Sequence, residues 1–172
     1  MRGQMTSFDV ARIAAELRPL IGARARKAYH PHWEQVVLRL NPKEASQLDL
    51  VIVRGKRIYL SRRDRPMPSN PSPFSMLLRK HLMNCRLTDV RQHGFDRILT
   101  LDFDTREGLR SLVIEMFRDG NVLLLDEEGV IIQPLTNVKY AKRTLKRGEK
   151  YEFPPAQIDP RDLDAATLSK LF

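Results

Sequence analysis

Apolar residues recur at helical spacing near the start of the chain, and they predict a first amphipathic helix. Its apolar face is formed by Val10, Ile13, Ala14 and Leu17. Thr6 followed by Asp9 three residues later is a capping-box pattern, in which each side chain bonds the other residue's backbone N–H. The helix is therefore predicted over residues 7–18, ending before Pro19, because the residue before a proline disfavours helical backbone.

A second helix is predicted after a loop that carries four prolines between residues 65 and 73. Ser72 is placed to cap this helix, and Pro73 is placed at its first position, where proline's missing N–H would have no partner anyway. The apolar face is formed by Phe74, Leu77, Leu78 and Leu82. Arg79 and Lys80 lie on the opposite, basic face.

Short apolar segments bounded by turn signals predict β-strands over most of the remaining chain. They lie at residues 23–29, 35–40, 48–53, 57–60, 87–92, 97–103, 111–117, 121–125 and 130–133. Glycine-containing turns join three pairs of neighbouring strands, at Arg54-Gly55-Lys56, Asp119-Gly120 and Glu127-Glu128-Gly129. Strands joined by such short turns pair antiparallel, so the chain is predicted to be an α+β domain rather than a doubly wound one.

The composition indicates a folded, basic, cytoplasmic protein. Of the 172 residues 42% are hydrophobic, and 30 Lys and Arg against 21 Asp and Glu give a net charge of +9. This balance favours polyanionic partners such as nucleic acid or the ribosomal surface. Cys85 is the only cysteine, which excludes an internal disulfide and any zinc site built on several cysteines. Neither a secretory signal nor a membrane-length apolar run is found, so no membrane partner is expected.

Both ends of the chain are expected to lie outside the main domain. Residues 1–4 are expected to be an extension or a cloning remnant, because Met5 offers an alternative start. Pro154-Pro155 breaks the strand pattern, and residues 156–172 are expected to be a linker and the start of a second domain that stops in mid-helix. The main domain is therefore predicted over residues 5–155.

The entry to the sixth predicted strand carries the most interesting polar residues. Gly94 permits backbone conformations that other residues avoid. Asp96 beside Arg97 places a hydrogen-bond acceptor next to a planar guanidinium with five donors. Alternation would send these two side chains to opposite faces if both lay in regular strand. From the pattern alone, a turn followed by a solvated arginine is the favoured interpretation.

Several motifs, in order along the chain, resemble the N-terminal domains of the NFACT family. They are TSFDVARIAAEL from Thr6 with Gly22 and Tyr29 after it, PFSMLLRKHL from Pro73, QHGFDRI from Gln92, Glu115-Met116-Phe117 before Gly120-Asn121-Val122, and Arg143, Gly148, Tyr151 and Pro154-Pro155. The resemblance covers residues 5–153. The family includes NEMF, RqcH and FbpA-type proteins.

The resemblance implies both a fold and a function. The domain is expected to look like the N-terminal domain of formamidopyrimidine-DNA glycosylases, a mostly antiparallel β-sandwich flanked by helices. Family members bind large ribosomal subunits that still carry peptidyl-tRNA, recruit charged tRNA and promote mRNA-independent C-terminal tailing, with alanine in the bacterial and archaeal type. They continue into a helix-hairpin-helix domain, here expected after residue 155.

The resemblance also implies a binding site. The family's Asp-Arg pair, needed for tRNA engagement, matches Asp96 and Arg97. With them we group Gly94 and the basic helix residues Arg79 and Lys80 as the predicted tRNA-binding set.

Two basic clusters extend the predicted interface. The first consists of Arg54, Lys56, Arg57, Arg62, Arg63 and Arg65. The second consists of Lys139, Lys142, Arg143, Lys146, Arg147 and Lys150, most of which would share a face if this segment were helical. Charge runs are usually solvated surface, but in so basic a domain they form a plausible phosphate-backbone footprint.

Enzymatic function is not expected, although the fold resemblance raises a DNA-lesion glycosylase or lyase as an alternative. That chemistry needs an N-terminal proline, whose secondary amine forms a Schiff base. Met1 is followed by Arg2, and Met5 by Thr6, so neither possible start provides it. A protein-interaction module that binds fibronectin is the last alternative.

No cofactor, metal or small-molecule substrate is expected. His30 and His32 lack an evident third ligand for a metal. Asp102 and Asp104 share one strand face, and a solvated strand end is favoured over acid–base work. Trp33 is expected to be a core or edge aromatic.

Overall fold

The computed structural model of the chain describes residues 5–43, 45–62, 67–68, 70–94, 96–140 and 143–154. The expected N-terminal extension, part of the proline-rich loop and the expected start of a second domain lie outside these residues, and the predicted domain boundaries stay predictions. The elements are α1 Ser7–Leu17, a 3-10 turn Arg18–Leu20, β1 Arg24–His32, β2 Gln35–Asn41, β3 Leu48–Val53, β4 Arg57–Ser61, α2 Pro73–Leu82, β5 Arg86–Gln92, β6 Ile98–Thr105, β7 Gly108–Glu115, β8 Asn121–Leu125, β9 Ile131–Pro134, β10 Val138–Lys139 and β11 Thr144–Leu145.

Both helices begin at the side-chain caps that the sequence predicts. At α1 the Thr6 backbone N–H donates to Asp9 Oδ2 at 2.8 Å, and the Asp9 N–H donates to Thr6 Oγ1 at 3.1 Å. At α2 the Ser75 N–H donates to Ser72 Oγ at 3.1 Å, and Pro73 occupies the first helical position. Each cap satisfies N–H groups that the first turn of a helix leaves without intrahelical partners.

Nine strands form one antiparallel sheet in the order β4-β3-β2-β1-β5-β6-β7-β8-β9. The two halves, β4 to β1 and β5 to β9, meet at a narrow junction where Arg24 of β1 pairs with Arg86 of β5. Two backbone bonds reinforce the junction: Asn84 N–H to Ala25 O at 2.6 Å, and Ala25 N–H to Cys85 O at 3.0 Å. The predicted α+β class and antiparallel sheet are confirmed.

The two halves of the sheet enclose one apolar core together with both helices. Its largest fully buried side chains come from α1, α2 and the strands of both halves and include Leu17, Leu38, Leu40, Leu50, Ile52, Leu78, Leu82, Leu87, Leu99, Leu101 and Phe103. All six residues of β3 and all five of β8 are buried, so these strands are covered on both faces. Because the two halves of the sheet face each other across the core, the tight turns at their strand ends lie side by side.

The second basic cluster is not helical where the structure describes it. Val138 pairs with Leu145 and Lys139 with Thr144, so that β10 and β11 form a short hairpin. This hairpin places Leu145 in a second apolar cluster with Ile98, Val113 and Leu123 on the outer face of the β6–β8 strands. The conditional prediction of a shared basic helix face is therefore wrong, because burial of Leu145 against the sheet holds the segment extended.

Candidate nucleic-acid interface

Four turns lie together at one end of the sheet, and we call this surface the tip face. It consists of residues 33–34 between β1 and β2, 54–56 between β3 and β4, 93–94 and 96–97 between β5 and β6, and 116–120 between β7 and β8. The turns contact one another across the two halves of the sheet. Arg54 N–H donates to Glu34 O at 2.6 Å, and Arg54 Nε donates to Gly120 O at 3.1 Å.

The predicted Asp-Arg pair lies in a tight turn on the tip face. The Asp96 N–H donates to His93 O at 2.9 Å, and Gly94 between them has a φ of +54°, which glycine adopts without the penalty that a Cβ brings. Regular strand begins only at Ile98. The face alternation considered from the sequence therefore does not apply to Asp96 and Arg97.

Neighbouring elements hold this turn in place. Gln92 Nε2 donates to Asp96 O at 2.8 Å and to Ser7 O at 3.0 Å, which ties the turn to the start of α1. The Met116 N–H donates to Arg97 O at 2.8 Å, which ties it to the β7–β8 turn. Asp96 is 4% exposed, whereas Arg97 is only partly buried. The turn therefore presents Arg97 at the surface above a buried carboxylate.

An aromatic side chain from the end of the described chain covers the turn. The rings of His93 and Phe153 are stacked with centroids 3.6 Å apart, and Tyr151 meets Phe153 edge-on at 5.2 Å. Phe153 is 43% exposed, so an apolar surface adjoins Arg97.

A buried charge network fixes the segment that carries Phe153. Arg143 donates to both carboxylate oxygens of Glu115, at 2.8 and 3.1 Å, and to Glu152 O at 2.9 Å. The Tyr151 hydroxyl donates to Glu115 Oε2 at 2.7 Å. The side chains of Arg143 and Glu115 are 8% and 1% exposed. Paired, hydrogen-bonded charges of this kind stabilise each other only as long as both remain.

The network also shifts two pKa values. Burial opposes the charged form of Arg143, but its hydrogen bonds to Glu115 and the negative charge of that carboxylate outweigh burial and raise the pKa of Arg143. Burial, followed by the charge of Glu115, raises the pKa of the Tyr151 hydroxyl well above its ordinary value. Arg143 therefore stays charged and Tyr151 stays protonated at physiological pH.

Of the first basic cluster, Arg54 and Lys56 lie on the tip face. Lys56 Nζ is 3.1 Å from Glu34 Oε1. Arg57 is exposed, with its guanidinium 5.8 Å from the Tyr59 ring centroid. Arg62 is exposed and donates to Ser46 O at 3.0 Å at the far end of the sheet. Arg63 and Arg65 lie outside the described residues.

Of the second cluster, Lys139, Lys146, Arg147 and Lys150 are exposed. Lys150 Nζ donates to Glu128 O, and Lys146 is 3.9 Å from Glu149. Lys142 lies outside the described residues. Arg143 differs from the others, because its guanidinium is committed to Glu115 and Glu152. We therefore remove Arg143 from the candidate phosphate contacts and assign it a structural role.

The two basic residues of α2 have different surroundings. Arg79 Nε donates to Ala28 O at 2.8 Å, and its guanidinium lies 5.1 Å from the Tyr29 ring centroid. Lys80 lines a groove of about 810 Å³ with Arg24, Arg86 and Arg106. In the register of β5 with β6, Arg86 lies opposite Asp104, whereas Gln92, beside the turn, lies opposite Leu99. Six residues of strand at about 3.3 Å each put roughly 20 Å between the groove and the turn. Lys80 therefore lies at the opposite end of β5 from the Asp-Arg turn, and the predicted roles of Arg79 and Lys80 in RNA binding stay predictions.

Of the two carboxylates considered for acid–base work, Asp102 has a structural role. This residue is 7% exposed, and its Oδ1 accepts hydrogen bonds from Arg91 at 2.8 Å and Ser111 at 2.7 Å. The expectation of a solvated strand end thus fits the exposed Asp104 but is wrong for Asp102, because Arg91 of β5 and Ser111 of β7 hold its carboxylate.

Sequence reasoning missed two tip-face residues. Arg118 is exposed in the β7–β8 turn with a φ of +56°, and its guanidinium lies 5.0 Å from the Tyr140 ring centroid. Trp33 is 68% exposed at the β1–β2 turn, so its expected place in the core or at an edge is wrong. The only sequence signal for either is its position in a polar turn beside Glu34 or Asp119.

The chain matches a known family along nearly its whole length. Residues 6–172 match the family model of NFACT N-terminal and middle domains. A relative described as an archaeal Rqc2 homolog, aRqcH, from Methanocaldococcus jannaschii is 36% identical over 178 residues, covering 100% of this chain and 26% of that protein. Ribosome quality control complex subunit 2 of Saccharomyces cerevisiae is 42% identical over 130 residues, covering 74% of this chain and 12% of that protein. The chain thus spans about a quarter of the archaeal relative and less of the yeast protein.

A solved structure has the same fold. The N-terminal part of the fibronectin/fibrinogen-binding protein from Streptococcus suis superimposes with a TM-score of 0.84 at 26% identity, covering 96% of this chain and 67% of that one. Within the described part of the chain, neither helix has the length and apolar character needed to cross a bilayer.

Proposed function

The chain belongs to the NFACT family, and from that premise we propose that it binds tRNA as part of a ribosome quality-control factor, through the tip face that carries Asp96 and Arg97. The factor acts on large ribosomal subunits that still carry peptidyl-tRNA, and it supports mRNA-independent tailing of the stalled chain with alanine. The domain itself binds and positions RNA and performs no catalysis. The names of the archaeal and yeast relatives support the quality-control part of the proposal.

The observation that carries the proposal is the setting of Arg97. It lies in a turn whose backbone is held by Gln92 and Met116, so little backbone entropy is lost when its guanidinium binds a phosphate. Arg54, Lys56 and Arg118 lie on the same face of a chain with net charge +9. A planar guanidinium binds phosphate through paired N–H donors, and neighbouring cations add affinity by releasing counterions.

Asp96 and Arg97 have different proposed roles. Asp96 is 4% exposed, and its Oδ2 is 4.0 Å from His93 Nε2. A carboxylate placed so far inside the turn acts as a positioning group for the backbone that presents Arg97. Arg97 makes the contact with the RNA.

Arg97→Ala is expected to weaken tRNA binding and to make it less dependent on salt. Loss of one phosphate contact reduces the slope of log K against log salt by about 0.7 to 1, because one counterion fewer is released. Binding isotherms of tRNA with the chain, measured at several salt concentrations, give both quantities.

Arg18→Ala is the matched control, because it removes the same charge from an exposed site in the 3-10 turn after α1, outside every predicted RNA-binding set. Equal losses in the two variants would mean that net charge alone drives binding, and the proposed site would be rejected. Asp96→Asn keeps the shape of the side chain and is expected to retain more affinity than Asp96→Ala.

Fibronectin binding is a second candidate, because the streptococcal structural neighbour is described as a fibronectin- and fibrinogen-binding protein. A basic face built from fixed arginines suits a polyanion better than an extracellular protein. Immobilised fibronectin and tRNA can be compared directly as ligands. The order of the two candidates would be reversed if the chain bound fibronectin but not tRNA, and if Arg97→Ala left the binding to fibronectin intact.

A further inference from the structure

Trp33 occupies an unusual position for a large aromatic side chain. It is 68% exposed at the β1–β2 turn, although β1 and β2 both contribute to the buried core. The turn below it is fixed: Glu34 N–H donates to His32 Nδ1 at 3.2 Å, and Glu34 O accepts from Arg54 N–H at 2.6 Å. The indole therefore stands on rigid backbone and contributes little to the stability of the core.

The indole borders a groove of about 420 Å³ on the tip face. The groove is lined by Trp33, Glu34, Arg54, Gly55, Lys56, Arg118 and Asp119. Its volume lies within the range of about 300 to 1,000 Å³ that is common for small-molecule sites. Its walls come from three of the four tip-face turns, which close packing between Gly55 and Gly120 holds together.

The chemistry of the groove selects a ligand that is both flat and anionic. The Arg54 guanidinium lies 6.0 Å from the Trp33 ring centroid, and it is held there by its Nε hydrogen bond to Gly120 O. Three cationic side chains line the groove against two carboxylates, and Trp33 is the large apolar side chain among the lining residues. An apolar peptide would find one aromatic contact there, surrounded by unmatched charge.

We propose that this groove is a stacking site for an unpaired RNA base. The base stacks on the exposed face of Trp33, while Arg118 contacts the neighbouring phosphate. Lys56, whose ion pair with Glu34 is open to solvent, exchanges that carboxylate for a second phosphate. Base–aromatic stacking accepts any base, because every base has a π-face, and basic residues beside the aromatic ring follow the backbone. Unpaired bases, as in a tRNA loop, are the parts of a folded RNA that proteins stack on aromatic rings.

The inference rests on the proposed function, since it assigns an unpaired base of the bound RNA to the same tip face. It adds a contact that phosphate binding by Arg97 does not require. The stacking site and the Arg97 contact can fail separately, because stacking depends on the RNA bases and the Arg97 contact depends on the phosphate backbone.

Trp33 is the only tryptophan among the 172 residues, so fluorescence excited at a wavelength that the four tyrosines do not absorb reports on this site alone. Titration with a ten-nucleotide oligo(A) is expected to quench that fluorescence saturably. An abasic oligomer of the same length and charge is expected to bind without quenching. Trp33→Ala is expected to weaken oligo(A) binding, followed by anisotropy of a labelled oligomer, roughly 5- to 150-fold, the effect of losing one stacked base.

Trp33→Phe keeps an aromatic ring and is expected to lose less affinity than Trp33→Ala. Met83→Ala, which removes a side chain that is 45% exposed at the opposite end of the sheet, is the matched control and is expected to bind like the unaltered chain. Thermal unfolding checks that each variant is folded.

Two results would overturn the stacking site. One is tRNA binding that depends on Arg97 but is unchanged by Trp33→Ala and causes no quenching, which would leave the proposed function standing. The other is an equal loss of affinity for oligo(A) and the abasic oligomer. Conversely, the result could be fluorescence quenching in the unaltered chain, a loss of RNA affinity in Trp33→Ala and an unchanged affinity in Arg97→Ala. That result would support the stacking site and remove Arg97 from the interface.

Discussion

Replacing Arg143 by alanine is expected to lower the free energy of unfolding by about 3 to 5 kcal/mol, because it leaves the buried carboxylate of Glu115 without its counter-charge. Glu115 is 1% exposed, and it would keep the Tyr151 hydroxyl as a single strong donor. Urea denaturation followed by circular dichroism measures the loss. The same variant releases the bond from Arg143 to Glu152 O, so Phe153 should be held less firmly against His93.

Arg147→Ala is the control for charge and residue type, since Arg147 is exposed four residues further along the chain. Its effect is expected to stay within about 0.5 kcal/mol, as is usual for surface positions. The combined change Glu115→Leu, Arg143→Met and Tyr151→Phe is expected to recover much of the loss, because an apolar set of similar volume carries no desolvation cost and leaves no buried hydroxyl without its acceptor. A cost for Arg143→Ala no larger than that for Arg147→Ala would contradict the structural role assigned to Arg143.

Gly120→Ala is expected to be the most disruptive small substitution on the tip face. A Cβ on Gly120 would lie 2.2 Å from Gly55 N and 2.6 Å from Gly55 Cα, both backbone atoms that no side-chain rotation can move away. Gly120 also has a φ of +77°, where an alanine costs about 1 to 2 kcal/mol. Relief of the clash requires the two turns to separate, which adds about 1 to 3 kcal/mol of overpacking.

Gly148→Ala separates these two contributions. Gly148 has a φ of +87°, but a Cβ built there meets nothing within 4 Å, so this variant carries the backbone cost alone. The difference between the unfolding free energies of the two variants measures the contact between the β3–β4 and β7–β8 turns. Indistinguishable stabilities would mean that the turns do not pack as described. Because this contact also shapes the groove beside Trp33, Gly120→Ala is expected to reduce base-dependent quenching as well.

Local structure was largely predictable from the sequence. The capping residues Thr6, Asp9 and Ser72 identify both helix starts because their hydrogen bonds join residues three apart. Strands β3 and β8 have the predicted bounds because each is a mostly apolar run between turn signals, with Asp49 and Asn121 as the polar exceptions. β7 begins three residues earlier than predicted, at Gly108, because strand pairing is made by backbone groups and does not need apolar side chains at a strand end.

The candidate site was predictable only in part. The Asp96-Arg97 pair was found through its family motif, whereas its pattern alone favoured an ordinary turn. Lys80 belongs to the same motif-rich stretch as the pair, yet β5 between them places Lys80 at the opposite end of the strand from the turn. Trp33 and Arg118 were missed because turns distant along the chain bring them together.

The sequence by itself determined the helices, the strands, the antiparallel connections, the basic charge and the family, because each depends on neighbouring residues or on a motif. Only the tertiary structure decided which charged and aromatic residues face solvent. Arg143 and Arg147 are identical in type and lie close in sequence, but Arg143 is buried because Glu115, 28 residues away, supplies its counter-charge. Trp33 is exposed because its turn lies beyond the core that β1 and β2 build. Burial depends on contacts between distant segments, and a local pattern does not contain them.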